Sequence, residues 1–342
     1  MTLLVLLTVL LLNDGLAAVA AFPADVPNVF GAAAQGSPGG FFSGVTGQLF
    51  AFSGLDGATQ STKNFVGVWG SGPENETGPG YDSGYDSGYN LRIGAGPPPE
   101  GWLRIQPAAP AREVLVATHD VLVAAHADNT TVQLAWQAWD LLVGCAPNTA
   151  RVFLHNSTDL PTRGCSLSPG GHAVLCRAVQ RVSGLGLAYA AEKDGVPAAT
   201  ARAAAAAAEA AAGGSVSRLL AERLAWVDAM PRVSGGASRQ RLLNKAVSVM
   251  RVNSLAPEGD IAQHWSTPDR LPHKYMWLWD SCYHSMARSV LNDTLGWEFV
   301  KSMLSVQLAD GFIPIQRSPV MGQADDGDGV VHNNGLGHNG DN

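Results

Sequence analysis

The chain has 342 residues, a length that favours two domains over one. Hydrophobic residues make up 46% and charged residues 15%, enough apolar material for a sizeable core. The net charge of −7, with no Lys/Arg cluster, excludes a nucleic-acid partner, and no apolar run reaches the roughly 20 residues of a bilayer span, so no stable membrane insertion is expected.

Residues 1–21 read as a signal peptide: a leucine-rich core from Leu3 to Leu12, then small residues from Ala17 to Ala21. Secretion, or residence in an endomembrane lumen, follows as an expectation. Four Asn-x-Ser/Thr sequons agree with it, with Asn75, Asn129, Asn156 and Asn292 as the glycosylation candidates. Cys145, Cys165 and Cys176 lie close enough in sequence to allow one disulfide among them, whereas Cys282 reads as a packed thiol. No spacing of Cys and His suggests zinc, and no cofactor is expected.

Residues 22–195 form the first domain. Up to about residue 110 they are rich in Gly, Pro and Ser, and the tandem Tyr81–Tyr89 repeat reads as turns. From about 112 the period is two. Val114, Val116 and Thr118 alternate, as do Val121 and Val123. Val132, Leu134, Trp136 and Ala138 alternate with Gln133, Ala135 and Gln137. Further short strands fall at 151–154, 173–176 and 185–189. Short strands between turn signals predict an antiparallel β-sandwich with Trp136 and Trp139 in its core.

Residues 196–236 form an Ala-rich helical linker. The run Ala198–Ala212 has strong helix propensity and ends at Gly213-Gly214. Lacking large apolar side chains, it reads as either an exposed helix or a low-complexity insertion. A second helix carries Leu220, Leu224 and Val227. Residues 237–342 continue as helices: one with Leu242, Leu243, Val247 and Met250 on a face, one from Ser281 to Leu291, and one from Leu295 to Leu308 packed through Trp297, Val300 and Leu304. The fold class expected is α+β with separate domains.

The chemistry concentrates in Tyr275-Met276-Trp277-Leu278-Trp279-Asp280-Ser281-Cys282-Tyr283-His284. Aromatic faces receive the apolar faces of sugar rings, and a carboxylate among them accepts hydrogen bonds from hydroxyls. Asp280 falls in the first turn of a helix, where it either complements the helix dipole or holds a ligand. His284, one turn later, shares its face and reads as a hydroxyl donor or as a packed histidine. A second constellation is the turn Gln307–Gln316, able to deliver Gln307, Asp310 or Gln316 to a shared pocket. A third is the long loop from Glu258 to Arg270, with Trp265, Ser266 and Asp269. Asp325–Gly329 resembles part of a calcium loop but lacks its closing Glu and reads as tail, so no metal is expected.

Trp-x-Trp-Asp-Ser-Cys-Tyr-His at 277–284, followed by Gln-x-x-Asp-Gly-Phe-Ile-Pro at 307–314, resembles the start of an (α/α)6-barrel glycosidase. The closest likeness is to the mannosylglycerate/glucosylglycerate hydrolase group of glycoside hydrolase family 63, over about residues 237–320. The resemblance implies an inverting hydrolase of an α-linked glucoside or mannoside, with a carbohydrate substrate as partner. It implies that Trp279 and Asp280 hold the glycone, with Trp277, His284, Tyr275, Gln307, Asp310 and Gln316 as further substrate contacts. The relatives' catalytic acid lies in a later Glu-Ser-Gly-x-Asp-Asn-Ser-Pro motif and their base further on. Neither motif occurs here, the Thr-Gln-Pro-Pro segment is missing, and Ile315 stands where relatives often carry histidine. A six-hairpin barrel needs about twelve helices of ordinary length. The expectation is therefore the first helical hairpins of such a barrel, truncated and inactive. The alternative is a non-catalytic carbohydrate-binding secreted protein.

Overall fold

The structure is a computed structural model and describes residues 50–57, 59, 66–70, 89–93, 101–109, 111–154, 159–190, 193–213, 215–268 and 275–319. The signal peptide, most of the tyrosine repeat, Asn75, Asn156, Asp269, Arg270 and the Asp325–Gly329 tail lie outside the described residues. The fold is mixed α and β, and every strand pairing in it is antiparallel.

Among the described residues twelve strands build the first part. They are β1 (Phe50–Ala51), β2 (Val66–Gly70), β3 (Tyr89–Ile93), β4 (Gly101–Gln106), β5 (Ala111–Thr118) and β6 (Val121–His126). After them come β7 (Thr131–Ala138), β8 (Leu141–Ala146), β9 (Arg151–Leu154), β10 (Arg163–Leu167), β11 (Ala173–Val179) and β12 (Ser183–Tyr189). One sheet runs β1-β2-β3-β4-β9 and the other β10-β11-β12-β8-β7-β6-β5. The two sheets share one core. Leu103, Ile105, Val152 and Leu154 come from the first sheet, and Val132, Leu134, Trp136, Leu142, Leu185 and Leu187 from the second. Trp136 is fully buried and Trp139 packs against this core half-buried. Cys165 faces Cys176 across β10 and β11, and these two form the disulfide. Cys145 stays a free thiol whose pKa burial raises to about 12.

The larger sheet is buried on both faces, which the alternation in β7 does not anticipate. Gln133 and Ala135, read as outward, are covered. The cover is the alanine run itself. Helix α1 (Val196–Ala211) lies on β8, β11 and β12, and α2 (Ser215–Asp228) beside it over β5–β8. Ala199, Ala203, Ala206, Ala207, Ala210 and Ala211 form the buried stripe. The expectation of an exposed or unpacked helix is thereby corrected. Contact needs no large side chain because Gly184 and Gly186 oppose it. A Cβ on Gly186 would stand 2.1 Å from the Ala203 carbonyl oxygen, and one on Gly184 2.1 Å from that of Ala207. Small residues on both sides let backbone approach backbone, and burying six methyls stabilises the pair by about 0.8 kcal/mol each.

The helical part continues with α3 (Ala237–Val252), β13 (Ser254–Leu255), β14 (Trp265–Ser266) and β15 (Met276–Trp277). It ends with α4 (Leu278–Ser289), α5 (Asp293–Ser305) and β16 (Gln316–Arg317). Arg251, at the end of α3, ties it to the sheets: its guanidinium pairs with Asp56 at 2.9 Å and stacks over Trp226. Ser53 donates to the Arg251 carbonyl. Beneath lies His119, fully buried, its ring edge-on to Trp226 and neither nitrogen hydrogen-bonded.

The expected stripes hold in part. Leu242 on α3 is exposed while Val247 is buried. On α2 the covered residues are Val216 and Leu219, with Leu220 only partly buried. On α5, Trp297 and Leu304 face out, and Leu295, Phe299, Ser302 and Met303 face in. Helices α4 and α5 pack as an antiparallel hairpin, close because Gly296 sits against Ser285 and Ser289. Asn292 caps α5, its side-chain oxygen accepting from the Leu295 amide at 3.0 Å. Asn129 is exposed at the β6–β7 turn, in the left-handed region at φ 61°.

Candidate functional site

The aromatic motif divides between a short strand and a helix. Trp277 is extended, at φ −101° and ψ 129°, and α4 begins at the next residue. In β15, Trp277 pairs with Gln316 and Met276 with Arg317 of β16. The Leu278 amide donates to the Ile315 carbonyl at 2.8 Å. The fold therefore sets the end of the Asp-Gly-Phe-Ile-Pro turn directly against the start of the aromatic helix. Gln316 is thereby set opposite Trp277.

Gln307 and Asp310 are spent on the turn itself. Gln307 donates from Nε2 to the Gly311 carbonyl at 2.7 Å, and Asp310 Oδ1 accepts from the Phe312 amide at 2.9 Å. Gly311 takes φ 93°, a left-handed conformation that disfavours a side chain. The third constellation also reaches this place. The Asp260 amide donates to the Pro319 carbonyl, and Arg317 pairs with the Asp260 carboxylate. Gly259 lies so near Pro319 that a Cβ there would stand 1.9 Å from its carbonyl oxygen. Trp265 is buried in a small core with Leu255, Ile261, Met276, Met303 and Val306, its Nε1 donating to the Ala256 carbonyl. Tyr275, one of the expected contacts, is buried as well.

On α4 the distribution is inverted for a helix of a folded domain. Its buried residues are Ser281, Ser285 and Arg288, while Trp279, Tyr283 and Met286, and Val290 just past its end, stand exposed. Cys282, expected to be packed, is exposed, though its sulfur lies 3.7 Å from that of Met303. Trp279 is 69% exposed and meets the edge of Tyr283 at 5.9 Å between ring centres. Asp280 is half-buried beside it in the first turn, where the helix N-terminus favours a carboxylate.

His284 lies one turn on. Its Nδ1 is 2.9 Å from the Ser266 hydroxyl oxygen on β14. Burial pushes its pKa below the ordinary imidazole value, Asp280 opposes that shift, and Arg288 adds to it. The ring is thus neutral at physiological pH. Arg288 is buried with a hydrogen bond to Ser254 Oγ at 3.1 Å, and burial together with Arg251 lowers it to about 10. Nearby, His264 Nδ1, just before β14, and Glu298 Oε2 on α5 are 2.6 Å apart.

Chemically the arrangement offers an exposed aromatic platform, a carboxylate and a neutral imidazole on one end of a helix. Sequence reasoning missed Ser266 as a partner of His284, and the His264–Glu298 pair. The residues that bond lie 18 and 34 positions apart, and no local pattern links them. Among the described residues no group of three or more His, Cys, Asp or Glu is placed to hold a metal ion, and no helix is long and apolar enough to cross a membrane. No protein-family model matches this chain, and no curated protein sequence matches it.

Proposed function

We propose that α4 and the β15–β16 ladder form the glycone-holding part of a glycoside hydrolase site for an α-linked glucoside or mannoside. Residues 237–319 would then be the first hairpins of an (α/α)6 barrel. One observation carries the reading: Trp279 stands exposed in the first turn of α4, the turn that also carries Asp280, with His284 one turn beyond, so an aromatic ring and two polar groups cluster at one end of a helix. A sugar ring has the matching pair of faces, CH groups on one side and hydroxyls at the rim. The outward apolar stripes of α4 and α5 support the barrel reading, because barrel hairpins offer such stripes to neighbouring hairpins. The Cys165–Cys176 disulfide supports an oxidising, secretory compartment.

The sequence contains neither the acid nor the base motif of the family it resembles, and inverting hydrolysis needs two carboxyl groups flanking the scissile bond. This chain therefore binds without turning over. Calorimetry with glucosylglycerate, mannosylglycerate and short α-glucosides tests the first half, and product analysis of the same mixtures tests the second. The expected result is binding that Asp280→Ala abolishes, with no hydrolysis. Binding indifferent to Asp280→Ala would sink the site assignment, and clear turnover would sink the inactivity.

A further inference from the structure

Among the described residues the buried Ser266 hydroxyl has one hydrogen-bond partner, Nδ1 of His284. A hydroxyl proton left without an acceptor in a buried place costs about 1–3 kcal/mol. The hydroxyl therefore donates, and Nδ1 accepts. In a neutral imidazole the proton then resides on Nε2. Nε2 has no hydrogen-bond partner among the described residues, and His284 is only partly buried. His284 and Asp280 lie one turn apart on the same side of α4, so this N–H is available beside the carboxylate.

We propose that Ser266 is a positioning residue that fixes His284 as the Nε2–H tautomer, so that α4 presents an acceptor, Asp280, and a donor, His284, to two adjacent hydroxyls of a sugar. This rests on the glycone reading of the site and sharpens it. The recognised element is a vicinal diol, one hydroxyl donating to the carboxylate and its neighbour accepting from the imidazole. The pair needs no charge on the ligand. It discriminates against deoxy sugars lacking either hydroxyl, because the unmatched protein group is then left unpaired.

Among the described residues three groups act on His284. Asp280 and Arg288 act on it from its own helix, and Ser266 from β14. Asp280 favours a second ring proton, Arg288 and burial oppose it, and Ser266 holds the acceptor lone pair of Nδ1.

Long-range proton–nitrogen correlation spectra of the full chain, labelled in histidine, test the assignment, with the His284 signals identified by their loss in His284→Gln. The wild-type protein is expected to show an unprotonated Nδ1 and a protonated Nε2 on His284. Ser266→Ala is expected to give mixed tautomers and about threefold to tenfold weaker sugar binding. Ser266→Thr, which keeps the hydroxyl, is expected to restore both. Circular dichroism spectra unchanged across the variants separate this from unfolding. A protonated Nδ1 in the wild type overturns the proposal whatever the protein binds. Sugar affinity unmoved by Ser266→Ala overturns it too. The expected tautomers with no sugar bound by any variant overturn instead the glycone reading.

Discussion

The seat of the alanine helix gives a sharp prediction. Gly186→Ala puts a methyl carbon 2.1 Å from the Ala203 carbonyl oxygen, 2.9 Å from its carbonyl carbon and 3.0 Å from the Ala207 nitrogen. All three are backbone atoms, so no side chain can swing aside. Ordinary contact begins near 3.4 Å, so α1 must retreat by about 1.3 Å. A gap of that size forfeits at least about half of the contact energy along the six buried alanines, which amounts to about 2–3 kcal/mol. Alanine recovers about 0.5–1 kcal/mol from its lower strand entropy cost, and overpacking strain of about 1–3 kcal/mol outweighs that gain. The net expectation is a loss of about 3 kcal/mol. The assay is urea unfolding followed by tryptophan fluorescence and far-ultraviolet circular dichroism. The control is Gly195→Ala, where the added carbon meets only the Ala190 side chain at 3.4 Å, and stability should stay within about 0.5 kcal/mol. A Gly186→Ala protein as stable as the control refutes the close-packing argument.

Two further outcomes follow from buried and exposed rings. Burial holds the His119 imidazole down to about 4 from its ordinary 6.5, with Asp120 opposing. Between those values the unfolded chain binds a proton that the folded chain does not. Stability is then full above pH 6.5 and falls as pH drops toward 4, by about 3 kcal/mol. Urea midpoints measured across that range check this, and His119→Leu should flatten the slope. Trp279→Ala removes an exposed ring and should leave stability within about 0.5 kcal/mol, while sugar affinity falls about threefold to tenfold.

Much of the larger sheet was legible because a period of two leaves its mark on residues such as Val132, Leu134 and Trp136, whereas β1 to β4 of the smaller sheet lie in the Gly/Pro/Ser-rich stretch that reads as turns. The larger sheet's second layer was not legible, because alanine carries no bulk to announce a packed face. The signal lay in the partner strand: Gly184 and Gly186 alternate, so both bare positions open toward one side, and a helix of small residues fits there. The helices were found, but their orientations only in part: Val247 is buried and Val300 and Leu220 pack inward as read. Trp297, Leu304 and Leu242 have the size that sequence patterns assign to a core, yet they stand outside. The aromatic motif and the Asp-Gly turn were each visible. The Trp277–Gln316 pairing itself was hidden, because a two-residue ladder has no periodicity to read.

The stretch from Gly259 to Pro319 is fastened where it begins and where it ends. Asp260 holds both Arg317 and the Pro319 carbonyl, and β15 holds β16. The helical hairpin and the aromatic platform lie inside this clasp. A single proteolytic cut within it leaves two pieces that still grip each other through the ladder, the ion pair and the α4–α5 contact. Continuity of the chain and integrity of the site are thus separate properties here, and a nicked protein that runs as two bands on a denaturing gel can retain its binding surface.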